Sequence, residues 1–193
     1  VLALIGENGA GKSTLIKILG GAFKSDKGKI LLKGIDVNLQ SPKDAQDNGI
    51  SVIYQEFNLI PDLKVYENIF LGREKKGKFF VEKKLEIQQS IDLFKKIGVQ
   101  IDPEARCRDL SIAEQQIVEI AKALSEDARI IIMDEPTAVL TIQEVERLFQ
   151  IIKDLKNHNV GIIYVSHRLE EIFEIADRFV VLRDGLKITE ANT

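Results

Sequence analysis

Near the start of the chain, Gly6-Glu7-Asn8-Gly9-Ala10-Gly11-Lys12-Ser13 matches the pattern G-x-x-x-x-G-K-[ST]. Glycines at this spacing let the backbone curl until successive N–H groups face one centre, forming a nest for an anion. An apolar run, Val1–Ile5, precedes the loop, and a helical pattern of Leu15, Ile16, Ile18 and Leu19 follows it. A helix starting near Lys12 adds the unpaired N–H groups of its first turn, Thr14 included, and the positive end of its dipole. Lys12 is then placed to reach the β- and γ-phosphates of ATP, and the Ser13 hydroxyl to ligate Mg²⁺. A plain glycine-rich turn between strand and helix needs neither of these two side chains.

A second chemical feature is the run Ile130-Ile131-Ile132-Met133-Asp134-Glu135, which reads as a buried strand ending in two carboxylates. Asp134 suits a hold on Mg²⁺, direct or through water. Glu135 is expected to point away from Asp134, because side chains alternate along a strand, and there it can take a proton from an attacking water or orient it. The alternative is two solvated acids before Pro136. Gln55 and His167 follow two further apolar runs. Gln55 both accepts and donates hydrogen bonds, and so can touch the metal or its water. His167 can hydrogen-bond a γ-phosphate and orient Glu135. Taken alone, each is also an ordinary polar residue ending a strand.

These residues need elements to bring them together. Four short runs, Val1–Ile5, Ile50–Tyr54, Ile130–Met133 and Val160–Val165, are apolar nearly throughout, as strands buried on both faces of a parallel sheet are. Helical spacings lie between them: Val145, Leu148, Phe149, Ile152 and Leu155, and Ile117, Ile120, Ala121 and Leu124. Alternating strands and helices predict an α/β fold, and such sheets bind ligands beyond the carboxyl ends of their strands. All the polar groups named above fall at that edge. Lys29–Lys33 and Phe179–Thr189 look antiparallel, the second with the hairpin signal Asp184-Gly185. Residues 56–124 read as an inserted helical subdomain between core segments 1–55 and 125–193. Within it, Ile87, Ile91, Phe94 and Ile97 form one apolar stripe, and Gly98 is placed to stop that helix.

The 193 residues fit one domain with such an insertion, and 45% apolar with 30% charged residues is ordinary for a soluble protein. A net charge of −3 offers no basic field, so no nucleic acid is expected as a partner. The lysine-rich run from Arg73 to Lys84 reads as a solvated loop. The single cysteine, Cys107, excludes an internal disulfide and fits a reducing compartment. No run reaches the ~18 apolar residues of a membrane span, and no signal peptide precedes the fold. The chain begins inside an apolar run, which reads as a fragment of something longer.

Taken together, Gly6–Ser13, Gln55, Leu110-Ser111-Ile112-Ala113-Glu114-Gln115-Gln116, Ile130–Glu135 and Ser166-His167 resemble the ABC ATPase family, in the family's order and over the whole chain. The resemblance implies a P-loop NTPase fold (a RecA-like, mostly parallel sheet) with a helical subdomain and a partial antiparallel β subdomain. It makes Gly6–Ser13 the Walker A loop, Gln55 the Q-loop glutamine, Ile130–Glu135 the Walker B strand with Glu135 as base, and His167 the switch histidine. Leu110–Gln116 resembles the signature, which in the family meets ATP held by a partner lobe; Ser111, Ala113 and Glu114 are its nucleotide-facing candidates. Ser111-x-x-Glu114 is also a capping box for the following helix, and the two readings are compatible. Where the family has two glycines after the serine, this chain has Ile112 and Ala113. Where it often has an aspartate, Thr141 stands, opening a second capping box with Glu144.

Leu110–Leu124 and Gln55–Arg73 look like the first ATPase lobe of bacterial monosaccharide importers of the ribose, galactose and xylose type. That resemblance implies a second ATPase lobe, a membrane permease, an indirectly coupled periplasmic sugar-binding protein, and a place on the cytoplasmic face of the bacterial inner membrane. Phe57, Leu59, Ile60 and Leu63 are candidates for the groove that grips the permease, with a core role as the alternative. A soluble ABC protein of repair or translation and a nucleotide-gated interaction module are the competing readings.

Overall fold

Short runs of β-branched and aliphatic residues without alternation bury both faces, and the architecture follows from that. The computed structural model describes residues 1–74 and 82–193; most of the lysine-rich run from Arg73 to Lys84 lies outside the described residues. In chain order the elements are β1 (Leu2–Ile5), α1 (Lys12–Leu19), β2 (Ile30–Leu32), β3 (Ile35–Val37), α2 (Pro42–Asp47), β4 (Ile50–Ile53), α3 (Val65–Phe70) and α4 (Lys83–Ile97). They continue with α5 (Ile112–Ser125), β5 (Ile130–Asp134), α6 (Ile142–Asn157), β6 (Gly161–Val165), α7 (Leu169–Ile175), β7 (Arg178–Arg183) and β8 (Leu186–Asn192). The main sheet has the order β4-β5-β6-β1-β7-β8; its pairs are parallel from β4 to β7, and β8 closes it antiparallel.

Neighbouring strand residues feed two different cores. Ala3, Ile131 and Tyr164 belong to one apolar cluster, while Leu4, Ile132 and Val165 belong to the other. The period of two thus covers both faces of the sheet, as parallel strands require. The first cluster runs on without a break into the helical stretch, through Ile117 and Ile120 of α5 to Ile69 of α3 and Phe94 of α4. Because α5 packs against β4 as well as against α3 and α4, the helical stretch is anchored to the sheet by the helix that Ser111 opens.

Two features depart from the sequence reading. The Phe179–Thr189 segment does form a hairpin, with Asp184 at φ 51° and Gly185 at φ 76° in its turn. Its first strand, however, joins the parallel sheet beside β1, pairing Leu2 with Arg178 through Ile5 with Val181. The unbroken Phe179-Val180-Val181-Leu182 run carried that information, but the strong turn signal masked it. On α4, Glu86, Ser90, Phe94 and Ile97 are the buried face, and Ile87 and Ile91 are only half-buried. Ser90 donates to the Glu86 carbonyl oxygen at 2.8 Å, which satisfies its hydroxyl inside the helix and lets this side turn inward. Gly98 ends the helix at φ 77°, as expected.

Both capping boxes are formed. Ser111 Oγ accepts from Glu114 N at 3.3 Å and Glu114 Oε2 accepts from Ser111 N at 2.8 Å. Thr141 and Glu144 repeat the arrangement at the start of α6. Thr141→Ala removes one capping acceptor from an exposed helix start. It should cost about 1 kcal/mol, read as a lower urea midpoint at unchanged slope.

Candidate functional site

The loop after β1 is shaped by steric demand. A Cβ on Gly6 would lie 2.6 Å from the Leu182 carbonyl oxygen on β7 and 2.9 Å from Ala10 Cβ, so no side chain fits there. Gly11 caps α1 at φ 99°, a conformation that L side chains avoid. Between them Ala10 N donates to Glu7 O at 3.1 Å, and Gly185 N, from the β7–β8 turn, donates to Ala10 O at 3.1 Å. α1 has no side-chain cap and no acid in its first turn, whereas α5 and α6 each have both. Its first-turn N–H groups therefore remain for an anion. The Lys12 side chain is buried, and its ammonium donates to Gly6 O at 2.6 Å and Glu7 O at 3.1 Å.

A cavity of about 510 Å³ lies over this loop, lined by Glu7 to Thr14, Gln55, Asp134 and Glu135. It sits beyond the carboxyl ends of β1, β4 and β5, where the strand order brings residues 12, 55 and 134 to one edge. Burial raises the Asp134 pKa, the neighbouring Glu135 charge adds to this, and Lys12 and Lys17 oppose it.

Glu135 differs from expectation in one respect. Strict alternation would have turned it away from Asp134, yet both line the cavity. The strand ends at Asp134, and Glu135 takes a left-handed φ of 47°, which breaks the alternation. Its backbone N–H donates to Val165 O at 3.0 Å, tying it to the end of β6. His167, on the next segment, sits with Nδ1 3.3 Å from Glu135 Oε1. The imidazole is two-thirds exposed and the carboxylate only 20% exposed, so the histidine faces open space from the mouth of the site.

Lys12, Ser13, Gln55, Asp134 and Glu135 thus share one cavity, and His167 touches it through Glu135. Ser111, Ala113 and Glu114 do not line it; they lie at the N-terminus of α5, with Ser111 exposed. Of the groove candidates, Leu59 is buried in the core cluster, Phe57 packs against it, and Ile60 is exposed. Sequence reasoning missed Glu171, Thr137 and Tyr164, which form a buried polar cluster beneath His167. Glu171 follows Glu170 and reads as helix-face charge, and nothing in its spacing marks it as buried.

The donor set fits magnesium held together with phosphate. Ser13, Gln55 and Asp134 offer oxygen atoms, which suit a hard cation. Among the described residues no group of three or more His, Cys, Asp or Glu side chains is placed to hold a metal ion. Mg²⁺ commonly binds through one or two carboxylates with water and substrate phosphate, and Asp134 would supply such a carboxylate here.

The family model for ABC transporters matches residues 1–138. The chain belongs to the ABC transporter family. Its α/β P-loop fold is that of ABC cassettes. A solved structure titled as the ADP conformation of MJ1267, an ATP-binding cassette of an ABC transporter, matches with a TM-score of 0.87 and 25% identity, over 100% of this chain and 80% of that one. The chain is also 52% identical over 188 residues to the ribose import ATP-binding protein RbsA 1 of Streptomyces avermitilis, covering 97% of itself and 36% of that protein. It is 51% identical over 195 residues to a putative ribose/galactose/methyl galactoside import ATP-binding protein of Rhizobium etli, covering 100% of itself and 38% of that protein. This ABC transporter chain therefore spans little more than a third of the length of these curated relatives. Among its described residues, no helix is long and apolar enough to cross a membrane.

Proposed function

We propose that this chain binds and hydrolyses Mg²⁺·ATP and couples that hydrolysis to monosaccharide import. The observation that carries the reading is the convergence of Lys12, Gln55, Asp134 and Glu135, with His167 at hydrogen-bonding distance from Glu135, on one cavity above an uncapped helix start. In this reading the Gly6–Thr14 backbone and the Lys12 ammonium bind the phosphates. Ser13, Asp134 and Gln55 hold Mg²⁺, which when bound neutralises charge on the phosphate oxygens. Glu135 takes a proton from the attacking water, or orients it, for in-line displacement. His167 holds Glu135 and offers a hydrogen bond to the transferring group.

Ser111 and Ala113 lie away from the cavity, so their nucleotide contact falls to a second lobe. The exposed N-terminus of α5 faces ATP held by that partner. Ala113 carries a Cβ where glycine would allow closer approach, which weakens this contact. A groove of about 210 Å³ between α2, β4 and α5, lined by Tyr54, Asn58 and Glu119, adjoins the Gln55 loop. It suits a cytoplasmic helix of the permease, so that movement of Gln55 is felt there. The ribose and ribose/galactose import relatives support a sugar of that type; its delivery by a periplasmic binding protein, at the bacterial inner membrane, is part of the same proposal.

The test is the full-length polypeptide reconstituted with its permease in proteoliposomes. Mg²⁺-dependent ATP hydrolysis, stimulated by a ribose- or galactose-loaded binding protein and accompanied by uptake of that sugar, is the expected outcome. Absence of Mg²⁺-dependent hydrolysis would refute the ATPase reading. Hydrolysis without sugar stimulation would refute the sugar assignment alone.

A further inference from the structure

Glu171 on α7 is 6% exposed, and its carboxylate accepts hydrogen bonds from four side chains. Thr137 Oγ1 lies 2.8 and 2.9 Å from its two oxygens, and Tyr164 OH donates at 2.8 Å. Ser166 Oγ donates at 2.9 Å and Arg168 Nη1 at 2.9 Å. A buried carboxylate is unfavourable unless donors replace its lost water. Burial pushes the Glu171 pKa up, but the bonds from Tyr164, Thr137, Ser166 and Arg168 outweigh it and hold the carboxyl below its usual range.

The origin of these donors gives the cluster its meaning. Thr137 is two residues beyond Glu135, on the segment joining β5 to α6. Ser166 and Arg168 flank His167 on either side. Tyr164 is fully buried in β6, and so fixes the carboxylate to the sheet. The Ser166 hydroxyl also accepts from Arg168 N at 3.0 Å, tightening the turn on which His167 sits. One buried carboxylate is therefore bonded to both segments that meet in the 3.3 Å His167–Glu135 contact.

We propose that Glu171 is a positioning residue for hydrolysis, tying the segment that carries Glu135 to the segment that carries His167. The inference rests on the ATPase reading given above. Glu171 touches no reacting atom; it sets the distance and angle at which the imidazole meets the Glu135 carboxylate. A merely structural role, anchoring the first turn of α7, predicts the same hydrogen bonds but different kinetics.

Glu171→Gln keeps the volume, turns one acceptor into a donor facing the hydroxyls, and leaves Arg168 without its counter-charge. In the full-length polypeptide it should lower kcat about 10- to 100-fold, the scale of a displaced catalytic group. KM for ATP and equilibrium ATP binding should stay at wild-type values. The deciding readout is a double-mutant cycle with His167→Ala, followed by single-turnover hydrolysis at enzyme excess. If Glu171 acts through His167, Glu171→Gln costs nothing further once the imidazole is gone. A structural role costs the same factor in both backgrounds. Ser166→Ala and Thr137→Val, each removing one donor, should give smaller losses in kcat that also vanish in the His167→Ala background. Wild-type kcat in Glu171→Gln, or losses that multiply across the cycle, overturns the proposal while leaving the ATPase reading intact. A wild-type protein without turnover overturns both.

Discussion

Glu135→Gln will lower ATP turnover about 10²- to 10⁴-fold while leaving nucleotide binding close to wild type. The geometry makes the two effects separable. Glu135 lines the cavity but donates nothing to the loop that grips phosphate; its side-chain partner is His167, 3.3 Å away. The amide keeps the shape and one carbonyl oxygen, so the His167 contact can persist. What is lost is the ability to accept a proton from water, and with it the step that acid–base chemistry accelerates. The left-handed φ of 47° at Glu135 is imposed by the backbone bond to Val165 and survives the change. Folding stability should therefore move little. Steady-state turnover and equilibrium binding of ATP by the full-length polypeptide check both halves. Normal turnover would remove Glu135 as the base, and lost binding would show that it serves the ground state.

How much of this site could be read in the sequence depends on how local each signal is. The phosphate loop is legible because its motif is local: Lys12 bonds back to Gly6 O and Glu7 O within six residues, although the steric demand at Gly6 comes from Leu182 on β7. Ser111 and Thr141 are local in the same sense, since each capping box closes over three residues. Asp134 was legible because an apolar run points its end at the ligand edge. Glu171 was not legible. Its burial is decided by Thr137, 34 residues away, and by Tyr164 on a neighbouring strand, and no periodicity records such a meeting. The parallel pairing of β7 with β1 was hidden for a similar reason, because the Asp184-Gly185 turn is a short-range signal and the β1 register is a long-range one. The rotation of α4 toward Glu86 and Ser90 follows from the helices it meets, α3, α5 and α6.

Lys12→Met should act on the other side of the reaction from Glu135→Gln and weaken ATP binding at least about 100-fold, the equivalent of removing one or two hydrogen bonds to a charged group at roughly 1.5–3 kcal/mol each. Lys12 is 7% exposed, and its ammonium is already held by Gly6 O at 2.6 Å and Glu7 O at 3.1 Å. Those two carbonyls keep it beside the uncapped start of α1, where a polyanion supplies the opposite charge. Methionine fills the space but donates nothing, so the carbonyls lose their partner and the anion loses its cation together. Lys12→Arg is no rescue: a planar guanidinium does not reproduce the compact point charge that Gly6 O and Glu7 O hold. Ligand-induced thermal shift separates the two variants in one experiment. A ligand at 100 times its Kd adds about 2.7 kcal/mol of stability, so Glu135→Gln should keep the ATP-dependent rise in Tm and Lys12→Met should lose most of it at the same ATP concentration. If Lys12→Met kept the full rise, the phosphate cradle would have to be held by backbone N–H groups alone, and the lysine would be serving the loop and not the ligand.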